Sequence, residues 1–181
     1  MALSFSLSHF HWTILFICLA CLTRLLFIQK KRLPHVLFAI FCGSIAMIMT
    51  QKISGDSLGE YKYLIGLGTV ATCNCYWLLS RSLFRTKDAM PKPHLVLALT
   101  ISLMLAVKQG MLFVGAIDLA PIGSHTWGYR LLSELIVLLS SCVLVLSFWE
   151  GYRGFSRANR PEKRQRILFL STFTTSVVIS K

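Results

Sequence analysis

Three charged residues sit inside apolar stretches of this chain, at Lys108, Arg130 and Glu134. Charge is costly in a membrane, so residues of this kind are the usual functional pointers there. Arg130 and Glu134 are four apart, so on a helix they share one face and can pair. Lys108 falls on the same side of the membrane by its place in the preceding block. Together they suggest an outward-facing polar pocket for a ligand. The plainer account is a structural ion pair plus a lysine whose long stem lets its ammonium reach the interface. A second polar group gathers near the same surface: His9, His11, Asp118 and His125. Such a group is suited to a metal or to pH sensing. These histidines lack ligand spacing, however, so neither a metal nor any other cofactor is expected. Haem is also excluded, because His35 and His94 lie at the opposite ends of their apolar blocks.

The remaining chemistry-bearing residues read as packing. Cys18 and Cys21 form a CxxC within an apolar run, with no second pair to complete a metal or redox site. Cys42, Cys73, Cys75 and Cys142 are likewise embedded in apolar sequence and serve as small apolar residues. No nucleophile elbow, phosphate-binding glycine loop, HExxH or paired carboxylates occur, so no enzyme is expected. Gly66, Gly68 and Gly110 permit close approach of helices. No internal repeat suggests the inverted halves of a transporter.

The elements that position these residues are long apolar blocks. Of 181 residues, 55% are hydrophobic and 14% charged, and the mean hydropathy is +0.64. Soluble domains carry about 25% charged residues. The blocks are continuous, which favours helices over barrel strands that alternate apolar and polar over about 10 residues. The expected fold is a single all-α domain, a polytopic transmembrane helix bundle of five complete helices plus a truncated sixth. Their approximate spans are 10–28, 34–50, 63–80, 94–117, 128–148 and 167–181. Proline at position 34 suits the first turn of the second helix. The fourth span is interrupted at Lys108-Gln109-Gly110, which leaves open one long helix or a helix followed by a short re-entrant piece. The first span is not a signal peptide, because no basic residue precedes it and no cleavage site follows.

A net charge of +12 would suit a nucleic-acid partner, but the basic residues lie between the apolar blocks. There they report topology. Lys30, Lys31 and Arg32 follow the first span; Arg81, Arg85, Lys87 and Lys92 follow the third. Arg153, Arg157, Arg160, Lys163, Arg164 and Arg166 follow the fifth. The intervening loops hold only Lys52 and Lys62. The alternation places the amino terminus outside the cytoplasm, in a bacterial inner membrane, with the basic loops inside near anionic lipid. Tyr61, Tyr63, Trp127 and Trp149 fit interfacial anchors, and Arg24 fits a cation reaching the inner interface. The fourteen residues from Ile167 to Ser180 reach about 21 Å as a helix, short of the about 30 Å hydrocarbon core. The chain is therefore expected to be an amino-terminal piece of a longer protein, or the product of a truncated reading frame.

Two stretches carry a family likeness. One runs Trp77-Leu78-Leu79-Ser80-Arg81-Ser82-Leu83-Phe84-Arg85-Thr86 and leads into Pro91-Lys92-Pro93-His94. The other runs Phe148-Trp149-Glu150-Gly151-Tyr152-Arg153 and continues into the basic run from Arg160 to Arg166. In both, the chain resembles the amino-terminal multi-helix membrane domain of bacterial AraC-type transcription regulators. The likeness covers most of the chain in layout but only about 30 residues in motif, and such motifs recur in membrane proteins. It implies a sensory domain whose signal is read out by a cytoplasmic helix-turn-helix tail. Residues 1–181 contain no such segment, so no nucleic acid is bound by them. The expected function is a membrane-embedded sensory or signal-transmitting domain, active in transcription regulation. Its expected partners are the lipid bilayer, an unidentified small-molecule or physical signal, and a second copy in a homodimer. The alternatives are a small permease or transporter subunit, using Lys108, Arg130 and Glu134 as a path, and a structural membrane protein without a ligand.

Overall fold

The computed structural model describes residues 2–85, 90–117 and 127–179; the side chains at 2–8, 56, 157, 173 and 175–179 lie outside that description. Among the described residues the chain is all-helical. Seven α-helices run in order: α1 Ala2–Leu26, α2 Leu33–Ser54, α3 Lys62–Leu67, α4 Thr72–Phe84, α5 Lys92–Ala116, α6 Trp127–Tyr152 and α7 Arg160–Ile179. Short 3-10 segments, Gly55–Tyr61 and Phe155–Arg157, precede α3 and α7.

Four helices are long and apolar enough to cross a membrane: His9–Leu26, Leu33–Ser54, Lys92–Ala116 and Trp127–Tyr152. Only 6% to 22% of these windows is buried within the protein. Their outer faces present rows such as Val96, Leu99 and Leu103 on α5 and Leu131, Leu135 and Leu138 on α6. Apolar surface this extensive is not stable against water; hydrocarbon is the solvent that suits it.

The third expected helix is two helices. The chain leaves α3 at Leu67 and resumes at Thr72, which corrects the single span 63–80. The physical reason is local. Amides at Gly68, Thr69 and Thr72 donate to carbonyls three residues back, at 2.9, 3.1 and 3.2 Å. The Thr69 and Thr72 hydroxyls also donate three residues back, each at 2.8 Å. These tight-turn bonds replace the α-helical ladder. Packing holds the break in place. A Cβ on Gly66 would lie 2.8 Å from the Gln109 side chain of α5, and one on Gly68 would lie 2.8 Å from the Met47 side chain of α2.

Two other boundaries move. Lys108-Gln109-Gly110 does not end the fourth span, since α5 is continuous to Ala116. The basic run Arg160–Arg166, read as loop, forms the opening turns of α7. The sixth helix therefore starts seven residues before the expected 167, led by charged residues.

Helix α4 is the hub. It packs against α2, α5 and α6, while α1 flanks α2 and α7 flanks α6. Trp77, Leu78 and Leu79 of α4 meet Leu37, Ala98, Ile101 and Val143 in the main core. A smaller cluster joins α1 to α2 through Cys18, Cys42 and Ala46, with Cys21 against it. The cysteines there act as packing residues, and all six are free thiols.

Candidate functional site: a charged joint at one end of the bundle

The core of α4 is polar for a central helix. Asn74, Ser80 and Arg81 are buried beside its apolar residues. The Asn74 amide Nδ2 donates across to the Ala98 carbonyl and to Ser102 Oγ of α5, both at 3.0 Å. Trp77 and Arg81 share a face of α4, and Arg85 follows one residue past its carboxyl end, on extended backbone.

At that end they meet Glu150, in the last turn of α6. Arg81 Nη1 donates to Glu150 Oε1 at 2.6 Å. Arg85 grips the same carboxylate with a two-pronged fork, Nε to Oε2 at 2.9 Å and Nη2 to Oε1 at 2.6 Å. The Glu150 and Arg81 side chains are only 5% and 3% exposed, while Arg85 is 27% exposed. Fork geometry and full charge make these the strongest class of protein hydrogen bond. An acid near a helix carboxyl end meets the negative end of the macrodipole, which costs about 0.3–1 kcal/mol. Two arginines on one carboxylate outweigh that cost.

A third arginine ties α7 into the same joint. Buried Arg166 sends Nη1 to the carbonyls of Glu150, Gly151 and Arg153, at 3.2, 3.2 and 2.6 Å. Two of these carbonyls belong to the last turn of α6 and the third follows it; carbonyls there lack an α-helical partner, and a cation satisfies them well. Its other edge pairs with Glu162 one turn earlier on α7, at 2.8 Å, and its guanidinium lies 4.6 Å from the Phe84 ring centre. Gly151 makes this approach possible, since a Cβ there would sit 2.9 Å from Leu170 Cδ2 and 3.0 Å from Phe169 Cδ1. Aromatic contacts complete the seam. Tyr76 stacks on Phe169 at 5.0 Å, Phe84 meets Phe169 edge-on, and Trp77 packs on His94 of α5 at 5.5 Å. One buried carboxylate and three arginines thus connect α4, α6 and α7, with His94 of α5 adjoining.

The residues singled out in the sequence are placed elsewhere. Lys108 Nζ donates to Ser133 Oγ of α6 at 3.0 Å and lies 5.6 Å from the Tyr129 ring centre. Arg130 and Glu134 are on the same helix as these partners and are exposed; among the described residues they form no ion pair with each other or with Lys108. His9 and His11 lie on α1, exposed and half-buried respectively, while Asp118 and His125 lie outside the described residues. Among the described residues no three His, Cys, Asp or Glu side chains gather as a metal site.

Sequence reasoning took Arg81, Arg85 and Arg166 as topology signals and did not pair them with Glu150. The available signal was an acid at the end of a long apolar helix, in a chain with only 7 acidic residues against 19 basic ones. The two stretches at Trp77–Arg85 and Phe148–Arg166 supply the joint almost entirely. No protein-family model, curated protein or solved structure matches the chain.

Proposed function

We propose that this chain is a membrane-embedded sensory and signal-transmitting domain of a bacterial regulator. In this reading the bundle crosses the inner membrane with its amino terminus outside. The α3–α4 pair supplies a broken crossing, and α7 supplies the last. The arginine-rich end then faces the cytoplasm by the positive-inside rule. The observation that carries the reading is the Arg81–Glu150–Arg85 joint. It is a buried charged contact between α4 and α6, with Arg166 of α7 beside it, placed at the end where a readout would be coupled. Such a contact is either engaged or released, because a half-paired buried charge is strongly unfavourable. A signal that favours one helix arrangement would shift the balance between the two states. The likeness of the two joint-forming stretches to the AraC-type membrane domain supports the same reading.

The test is transcript profiling of the native host with the chain wild type or carrying Glu150→Gln, at matched membrane levels. The reading expects a defined set of transcripts to shift. An unchanged profile with the protein inserted and folded contradicts it. A small permease is the second reading. It is favoured by Lys108, a half-buried cation facing Ser133 and Tyr129 between two apolar helices. Ion or solute uptake into proteoliposomes, abolished by Lys108→Met, would select it.

A further inference from the structure

Beside the joint, an open groove of about 600 Å³ lies along α6 and α7. Phe148, Tyr152 and Phe155 line one side, and Ile167, Leu170 and Thr174 the other. From Ile167 to Thr174 the groove follows α7 for about 10 Å. It is almost wholly apolar, and it opens at the end of α6, one of the helices able to cross a membrane.

Its mouth is charged. Positions 160, 164, 167, 171 and 174 repeat at intervals of four and three, so they form one stripe along α7. The groove-lining residues Ile167, Ser171 and Thr174 therefore continue, without leaving that face, into Arg160 and Arg164. Both arginines are exposed. Neither takes part in an ion pair among the described residues, and the nearby acid Glu162 is already bound to Arg166. Arg164 lies about 5 Å and Arg160 about 10 Å along the axis from Ile167. That is one and two turns beyond the apolar channel.

We infer that the α6–α7 groove is a site for an anionic phospholipid, with an acyl chain laid between the two helices and its phosphate held by Arg160 and Arg164. A zwitterionic lipid fits the apolar channel equally well but brings its own cation to the arginines. The charge at the mouth is what commits the site to an anionic lipid. The site depends on α6 lying in a membrane and not on the sensory reading, so it stands if that reading fails.

The test is native mass spectrometry of the full chain in non-ionic detergent, titrated with phosphatidylglycerol or phosphatidylcholine. Phosphatidylglycerol is retained in preference. Arg160→Gln with Arg164→Gln lowers its retention by roughly fivefold per arginine and leaves phosphatidylcholine unaffected. Ser171→Trp, which fills the channel, lowers both lipids. Lys52→Gln, at the other end of the bundle, changes neither. Equal retention of the two lipids overturns the inference, as does an arginine double variant that binds like wild type. Displacement by glycerol phosphate would show a simple anion site instead. A dimer cross-linked through α6 and α7 that takes up no lipid would assign the groove to a second copy of the chain. The arginine variants alter exposed side chains, so they remain informative if Ser171→Trp does not fold.

Discussion

Removing the Glu150 side chain is the sharpest perturbation this bundle permits. In Glu150→Leu the carboxylate that accepts three charged hydrogen bonds is gone. The two arginines then fare differently. Arg85, 27% exposed, can swing its guanidinium to water or headgroups, whereas Arg81, 3% exposed, cannot. The cost is therefore mainly that of a buried ion pair broken from one side, about 3–5 kcal/mol. The companion is Arg81→Leu combined with Glu150→Leu, which removes both members of the buried pair. Replacing a buried pair by apolar residues is often neutral or favourable, so most of the loss should return. Unfolding free energies measured by denaturant titration in mixed micelles give both values. The reasoning is refuted if Glu150→Leu costs under about 1 kcal/mol, or if the double variant is as unstable as the single one.

Four further outcomes follow from the same geometry. Arg166→Ala uncovers the carbonyls at the end of α6 and frees α7; limited proteolysis between residues 153 and 160 in membranes should accelerate severalfold, and an unchanged rate would show that α7 is held by other contacts. Gly151→Val forces a branched side chain against Leu170 and Phe169, costing about 1–3 kcal/mol by overpacking, readable as a loss of thermal stability in detergent. Asn74→Leu loses two hydrogen bonds to α5 and should cost only about 1 kcal/mol, at about 0.6 kcal/mol for each bond between membrane helices; a loss of several kcal/mol would mark the site as structurally dominant. Cys18→Ala and Cys42→Ala should cost packing energy while leaving the chain indifferent to reductant, and a redox-dependent mobility shift would contradict their packing role.

Much of the architecture is written in residue type. The apolar blocks around 10–28, 34–50, 94–117 and 128–148 became α1, α2, α5 and α6, because a continuous apolar run with its backbone polar groups unmet by solvent has little choice but helix. The break at Gly66–Thr72 was harder. Single glycines and threonines are tolerated in helices; here bonds to carbonyls three residues back turn the chain, and Gln109 against Gly66 and Met47 against Gly68 hold the break. The start of α7 was missed because Arg160–Arg166 looks like a solvated loop. Arg166 is helical and buried because the carbonyls of α6 are there to receive it. The joint itself was illegible for a related reason. Arg81 and Glu150 are 69 residues apart, and no local pattern announces a partner at that distance. What the sequence did offer was the proximity of both to helix ends, which is where basic residues are also expected for topology alone.

The most direct test of the account is the side of the membrane on which this joint lies. In a background with the native cysteines replaced, His9→Cys and Lys163→Cys are labelled in spheroplasts with a membrane-impermeant maleimide. The account predicts labelling at position 9 in intact spheroplasts, and at position 163 only after the membrane is permeabilised. Labelling of position 163 from outside would contradict the orientation, and with it the placement of the charged joint at a cytoplasmic readout.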